Sequence, residues 1–156
     1  LSLICRNYDI QKGQILIDGI DIRKIKISCL RRHFGAIIVK NDVIVSTGYN
    51  GAPAGIKSCE EKGECLRRKL NIPSGTQHEL CFAVHAEQNA IIQAARFDIS
   101  IAGATLYCTH QPCVICAKMI INAGIKRVVY KHGYPDEFSL ALFKEAEVSV
   151  EKFVEE

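Results

Sequence analysis

The sequence predicts an α/β fold with a mixed sheet lying between helices, and three observations lead there. Residues 104–109 (ATLYCT) and 125–130 (IKRVVY) are β-rich runs separated by an apolar stretch with helical start and stop signals. That is the spacing of a parallel strand–helix–strand unit. Residues 35–40 (GAIIVK) and 43–49 (VIVSTGY) flank Asn41-Asp42 and read as an antiparallel hairpin. Residues 80–95 (LCFAVHAEQNAIIQAA) read as helix. A chain of 156 residues is the size of one domain, so parallel and antiparallel pairs belong to one sheet.

In chain order, the front is the odd part. Residues 6–22 read as two short strands around an Asp18-Gly19 turn. With the following segment, residues 1–33 resemble the part of an ABC-transporter ATPase domain that follows its phosphate-binding loop. No G-x-x-x-x-G-K-[ST] is present, so no phosphate cradle and no nucleotide-hydrolysing function carries over. Residue 1 is Leu and the sole methionine is Met119. The expectation is a fragment or a chain joined from pieces: residues 1–33 a non-functional ATPase-like piece, residues 34–156 the functional domain. After the hairpin, residues 50–55 (NGAPAG) are a glycine- and proline-punctuated loop. Residues 56–79 are polar and carry cysteines. Pro112 suits the first turn of a helix over 113–123, and Asn122-Ala123-Gly124 reads as its end. Residues 138–146 read as a last helix and 148–154 as an edge strand or tail.

The chemistry lies in His85-Ala86-Glu87 and Pro112-Cys113-Val114-Ile115-Cys116. A catalytic zinc takes three nitrogen or sulfur ligands and keeps a fourth position open, and His85, Cys113 and Cys116 supply three. Glu87, two residues from His85, is placed to move protons as a general acid–base. H-x-E alone is weak, and C-x-x-C alone also fits a redox pair, a structural knuckle or two core cysteines. Together, H-x-E followed by P-C-x-x-C is the signature of zinc-dependent deaminases. A second cluster, Cys59, Cys65, His78 and Cys81, with Cys29 as a fifth candidate, suits a closed four-ligand structural zinc; the alternative is free thiols in a surface insertion. Cys108 reads as a core residue.

Composition narrows the class. A net charge of +3 is too small to argue for a nucleic-acid partner. No apolar run approaches the ~18 residues of a membrane span. No signal peptide is evident, and eight cysteines clustered with histidines favour metal in a reducing compartment, hence the cytoplasm.

Three stretches carry a second resemblance: CLRRHFGAIIVKNDVIVSTGYNGAPAG, SGTQHELCFAVHAEQNAIIQAA and GATLYCTHQPCVICAKMIINAGIKRVVY. Over residues 28–150 the chain resembles bacterial-type deoxycytidylate (dCMP) deaminases of the late-competence type, within the cytidine/deoxycytidylate deaminase family. The resemblance implies a cytidine-deaminase-like three-layer α/β/α fold and hydrolysis of dCMP to dUMP and ammonia. It implies a catalytic Zn2+ and a second, structural Zn2+. It places Asn50 against the sugar and Tyr134 near the base; the bland alternatives are a turn residue and a surface tyrosine. It also implies triphosphate effectors and a homo-oligomer. Arg31, Arg32 and Lys57 are candidate partners for the 5′-phosphate. The same signature serves cytidine, guanine, a riboflavin precursor and adenosine in transfer RNA. A non-catalytic module that binds zinc or nucleotide is the reading outside enzymes.

Overall fold

The computed structural model describes residues 35–73, 76–133 and 136–154, together with the backbone of Leu16–Ile17 and Ile20–Asp21. Cys29, Arg31, Arg32 and Tyr134 lie outside the described residues. Strands β1 (Leu16–Ile17) and β2 (Ile20–Asp21) pair antiparallel, as the expected front hairpin requires.

The main sheet has five strands: β3 (Ala36–Lys40), β4 (Val43–Gly48), β5 (Thr105–His110), β6 (Arg127–His132) and β7 (Ser149–Lys152), in the order β4-β3-β5-β6-β7. β3 is antiparallel to both β4 and β5, whereas β5–β6 and β6–β7 are parallel. The sheet is therefore mixed, as expected. Asn41 and Asp42 turn the β3–β4 hairpin with φ of 51° and 60°. Two left-handed residues match the twist of a two-residue hairpin, and Asn and Asp tolerate them better than most side chains.

Three longer helices follow the hairpin: α3 (Ala86–Arg96), α4 (Val114–Asn122) and α5 (Glu137–Glu145). α4 and α5 are the crossovers of the two parallel pairs. α3 packs on α4 and α4 on α5, so the three form one layer. Their buried side chains Ala86, Ala90, Ala117, Ile120 and Phe143 meet Ala36, Ile38, Leu106 and Val128 of the strands in one apolar core. Alternation along the strands sends Ile37, Tyr107 and Val129 to the opposite sheet face, side by side in register.

α3 lies very close to β4. A Cβ at Gly48 would sit 1.9 Å from the Ala86 carbonyl oxygen and 2.5 Å from the Ala90 nitrogen, so only glycine fits there. The buried Ser46 hydroxyl donates to the Ala90 carbonyl at 2.6 Å. These contacts fix where the start of α3 lies relative to the sheet.

Two expectations need correction. The segment 80–95 is not helical throughout: α3 begins at Ala86 and His85 is its N-cap, in extended conformation. The cause is the pairing of Gly51 with Val84, which holds Val84 in a β-bridge immediately before His85. The stretch 56–79 is also more than a loop. It holds α1 (Cys59–Lys62) and α2 (Leu66–Lys69), and the 3-10 turn His78–Leu80 begins within it. α1 has a full capping box between Ser58 and Glu61. Among the described residues no helix is long and apolar enough to cross a membrane.

Candidate active site

Two helix starts meet at the site. At the first, the N–H groups of Gly51 and Val84 each donate to the other's carbonyl, at 3.2 and 2.8 Å. The Asn50 side-chain oxygen accepts from the Ala86 N–H at 2.9 Å. The His85 N–H donates to the Gln88 side chain at 3.0 Å, and Asn89 Nδ2 donates to the Tyr49 carbonyl at 2.7 Å. His85 thus stands on a helix end where Asn50, in the loop after β4, satisfies the orphan N–H of Ala86. Asn50, expected at the sugar, lines the cavity and also caps α3.

At the second start, Cys113 is the N-cap of α4. The Asp136 carboxylate accepts from the Val114 N–H at 2.8 Å through one oxygen and from the Ser139 N–H at 2.9 Å through the other. One side chain therefore caps both α4 and α5. Gln111 adds to this support: its backbone N–H donates to the His132 carbonyl and its side chain donates to the Asp136 carbonyl. The sequence reading missed Asp136 and Gln111. The signal for Asp136 was an acidic residue just ahead of a helical run.

The two starts bring the predicted donors together. His85 Nδ1 lies 3.5 Å from Cys113 Sγ and 3.4 Å from Cys116 Sγ, and the two sulfurs are 3.6 Å apart. Tetrahedral zinc with its usual bond lengths holds nitrogen and sulfur ligands about 3.5 to 3.8 Å apart. The donors are within a few tenths of an ångström of that spacing. The charge balance points the same way. Cys113 is pulled down to about 3 by the Cys116 thiol donating to it and by His85, while Cys116 is pushed up by the neighbouring Cys113 thiolate and by burial. Two sulfurs this close cannot both ionise without a cation between them, and a divalent ion would remove that conflict.

Glu87 is 8% exposed and its Oε2 is 3.6 Å from Cys116 Sγ. Burial pushes its carboxyl above the usual carboxylate range. His85 is held above its ordinary value by the Cys113 thiolate, against the opposing effect of its own burial. The ligand atoms of His85, Glu87 and Cys116 all lie within 4.8 Å of one another. The group opens into a cavity of about 600 Å³ lined also by Asn50, Arg67, Arg68, His78 and His110, a volume typical of small-molecule sites.

The second cysteine cluster is only partly assembled. Cys65 lies beside Cys59 and, with burial, pushes the Cys59 thiol up; Cys81 adds to the same effect. The backbone N–H of Arg68 facing Cys65 holds that thiol below its ordinary value. His78 stands elsewhere: its ring meets that of His85 edge-on at 5.2 Å, and it comes within 4.8 Å of His85 and Cys113 donors. Among the described residues, Cys59, Cys65, His78 and Cys81 do not draw together as a metal-sized group. Cys108 is a buried core residue, as expected. Lys57 does not line the cavity.

Comparison with known proteins fits this geometry. The family described as "Cytidine and deoxycytidylate deaminase zinc-binding region" matches residues 21–132. The chain belongs to that family. The match reaches into the stretch that the sequence set apart as ATPase-like. The deoxycytidylate deaminase of Mycobacterium phage D29 is 43% identical over 65% of this chain and 80% of its own length. That of Schizosaccharomyces pombe is 34% identical over 81% of this chain; the chain spans only 39% of that relative's length. The crystal structure of dCMP deaminase from the cyanophage S-TIM5 in complex with dCMP and dUMP superimposes with a TM-score of 0.60 at 38% identity, covering 76% of this chain and 79% of that one. Membership of a zinc-binding family and the His/Cys donor group together support Zn2+ as the metal of this fold.

Proposed function

We propose that this chain catalyses the zinc-dependent hydrolytic deamination of deoxycytidylate to deoxyuridylate and ammonia. The observation that carries the reading is a zinc-spaced donor triad with a buried acid in contact with one of its sulfurs, at the wall of a nucleotide-sized cavity. His85, Cys113 and Cys116 hold the metal in this reading. Bound zinc is a Lewis acid that makes water nucleophilic near neutral pH. Glu87 takes the proton that this water gives up and delivers it to N3 of the cytosine ring. It then carries the second proton to the departing amine. A C4–oxygen bond replaces the C4–nitrogen bond, one water proton ends on N3 and the other on ammonia. The raised affinity of Glu87 for protons suits a group that must both accept and release them. Asn50, whose side-chain oxygen accepts from the start of α3, offers its amide nitrogen to the sugar, and the family resemblance assigns the contact with the base to Tyr134, which lies outside the described residues.

A second zinc with a structural role belongs to the same reading. Cys59, Cys65 and Cys81 supply three donors, with Cys29 as the remaining candidate for the fourth, since His78 packs against His85. What supports it is the adjacency of Cys59 and Cys65 and the polar character of the segment, which a metal cross-link would order where burial cannot.

The substrate is tested by offering the zinc-loaded chain dCMP and cytidine in competition and identifying the products. The expected result is dUMP and ammonia from dCMP with cytidine left unchanged. Equal use of cytidine would move the assignment to another member of the deaminase family.

A further inference from the structure

We propose that Gln111 is a positioning residue of the metal centre: its side chain ties the segment before Cys113 to the start of α5 and so holds the Cys113 sulfur at metal-binding distance from His85 and Cys116. The inference rests on the metal reading of the triad and is independent of which substrate the site takes. The three donors have different supports. Cys116 lies inside α4 and is fully buried. His85 and Cys113 are N-caps, with extended backbones outside the helices they start. The Gly51–Val84 bridge and the Asn50 cap place the chain on either side of His85. Cys113 is placed in another way.

The residues on both sides of Pro112-Cys113 are bound to one neighbour, Asp136. On one side Gln111 Nε2 donates to the Asp136 carbonyl at 3.0 Å. On the other the Val114 N–H donates to the Asp136 carboxylate at 2.8 Å. The Gln111 backbone N–H donates to the His132 carbonyl at 2.8 Å. Its side chain also donates to the buried Ser139 hydroxyl at 3.4 Å, and that hydroxyl donates to the Asp136 carbonyl at 2.8 Å. Between the two ties stands Pro112, fully buried, its φ fixed by its ring. The Cys113 backbone is thus bracketed from both ends. A buried amide is costly unless it is bonded, so the Gln111 side chain specifies a direction where an apolar side chain would only fill the space. The spacings of 3.5 Å to His85 and 3.6 Å to Cys116 depend on where Cys113 stands. A sulfur that drifts must be pulled back by the metal, at the expense of metal affinity. Gln111 therefore acts through Cys113 and not on the ion.

The test measures zinc affinity by chelator competition and the visible absorption of the cobalt(II)-loaded protein, which reads ligand geometry, on the full chain and on Gln111→Met. Cys113→Ser marks which part of each signal belongs to the triad. Phe143→Leu, at a fully buried position of α5 outside the bracket, supplies a destabilised control. Removing a group that orients a metal ligand costs about tenfold to a hundredfold in affinity. Gln111→Met should show that loss together with a shifted cobalt spectrum. Phe143→Leu should unfold at lower urea with metal affinity and spectrum unchanged. Gln111→Asn, an amide one methylene short, is a milder variant with a smaller change in the same direction, and it carries the test should Gln111→Met fail to fold. Unchanged affinity and spectrum in the Gln111 variants would overturn the proposal. So would equal metal losses in Gln111→Met and Phe143→Leu, because the side chain would then serve only the stability of the fold. If Cys113→Ser removes none of the metal signal, the metal reading of the triad itself fails, and the positioning role with it. Unchanged Gln111 variants beside a Cys113→Ser that loses the signal overturn the positioning role alone.

Discussion

The cysteines of this chain differ in chemistry because their surroundings differ. Cys108 sits in the apolar core, where burial pushes its thiol far above the ordinary range. Cys65 lies at a helix start, where backbone N–H groups favour the thiolate. Cys59, beside it, is pushed the other way. In metal-free, reduced protein near neutral pH, Cys65 should therefore alkylate before Cys59, and Cys108 should stay unlabelled until the protein unfolds. Raising the pH should bring Cys59 up toward the rate of Cys65, because it is the Cys59 thiol that has still to ionise. Peptide mapping of the labelled protein reads all three. The same experiment bears on the second zinc: added zinc should protect Cys59, Cys65 and Cys81 together, and protection of the triad cysteines alone would remove that ion from the account.

The elements matter here chiefly through their ends. β4 and the loop after it grip the start of α3 through Gly48, Ser46, Asn50 and Gly51, and His85 is placed by that grip. α4 and α5 are tied at their starts by the single carboxylate of Asp136. A lost N-cap costs about 0.5–2 kcal/mol. Asp136→Ala removes two, so the expected loss is roughly 1–4 kcal/mol in a urea titration. Because the Val114 N–H adjoins Cys113, the same variant should bind zinc more weakly in a chelator competition, whereas a surface change such as Glu145→Ala should leave zinc binding alone. Full zinc affinity in a destabilised Asp136→Ala protein would show that the caps serve the fold and not the site.

Across the whole molecule, the donor set was legible and its setting was not. H-x-E and P-C-x-x-C are local patterns, and three-residue spacing at a helix start brings Cys113 and Cys116 to one side whatever the tertiary fold does. The hairpin and the parallel crossovers were legible for the same reason: turn chemistry and alternation are short-range signals. The start of α3 was misplaced because the Gly51–Val84 pairing joins residues far apart in sequence, and helical periodicity cannot register it. Asn50 as a cap and Asp136 as a double cap are long-range bonds of the same kind. His78 was grouped with the cysteines by spacing, yet its ring packs against His85. Nothing in the sequence set Arg67 and Arg68 apart, and only the fold makes them part of the cavity wall.

The most direct test of the central claim is ammonia release from dCMP by the purified chain beside Glu87→Ala, with the two proteins matched for zinc content. Removing a general acid–base group is expected to cost about 10²- to 10⁴-fold in turnover. The account predicts that loss with zinc still bound to both proteins. Turnover that survives in Glu87→Ala, or no turnover from the zinc-loaded unaltered chain, would contradict it.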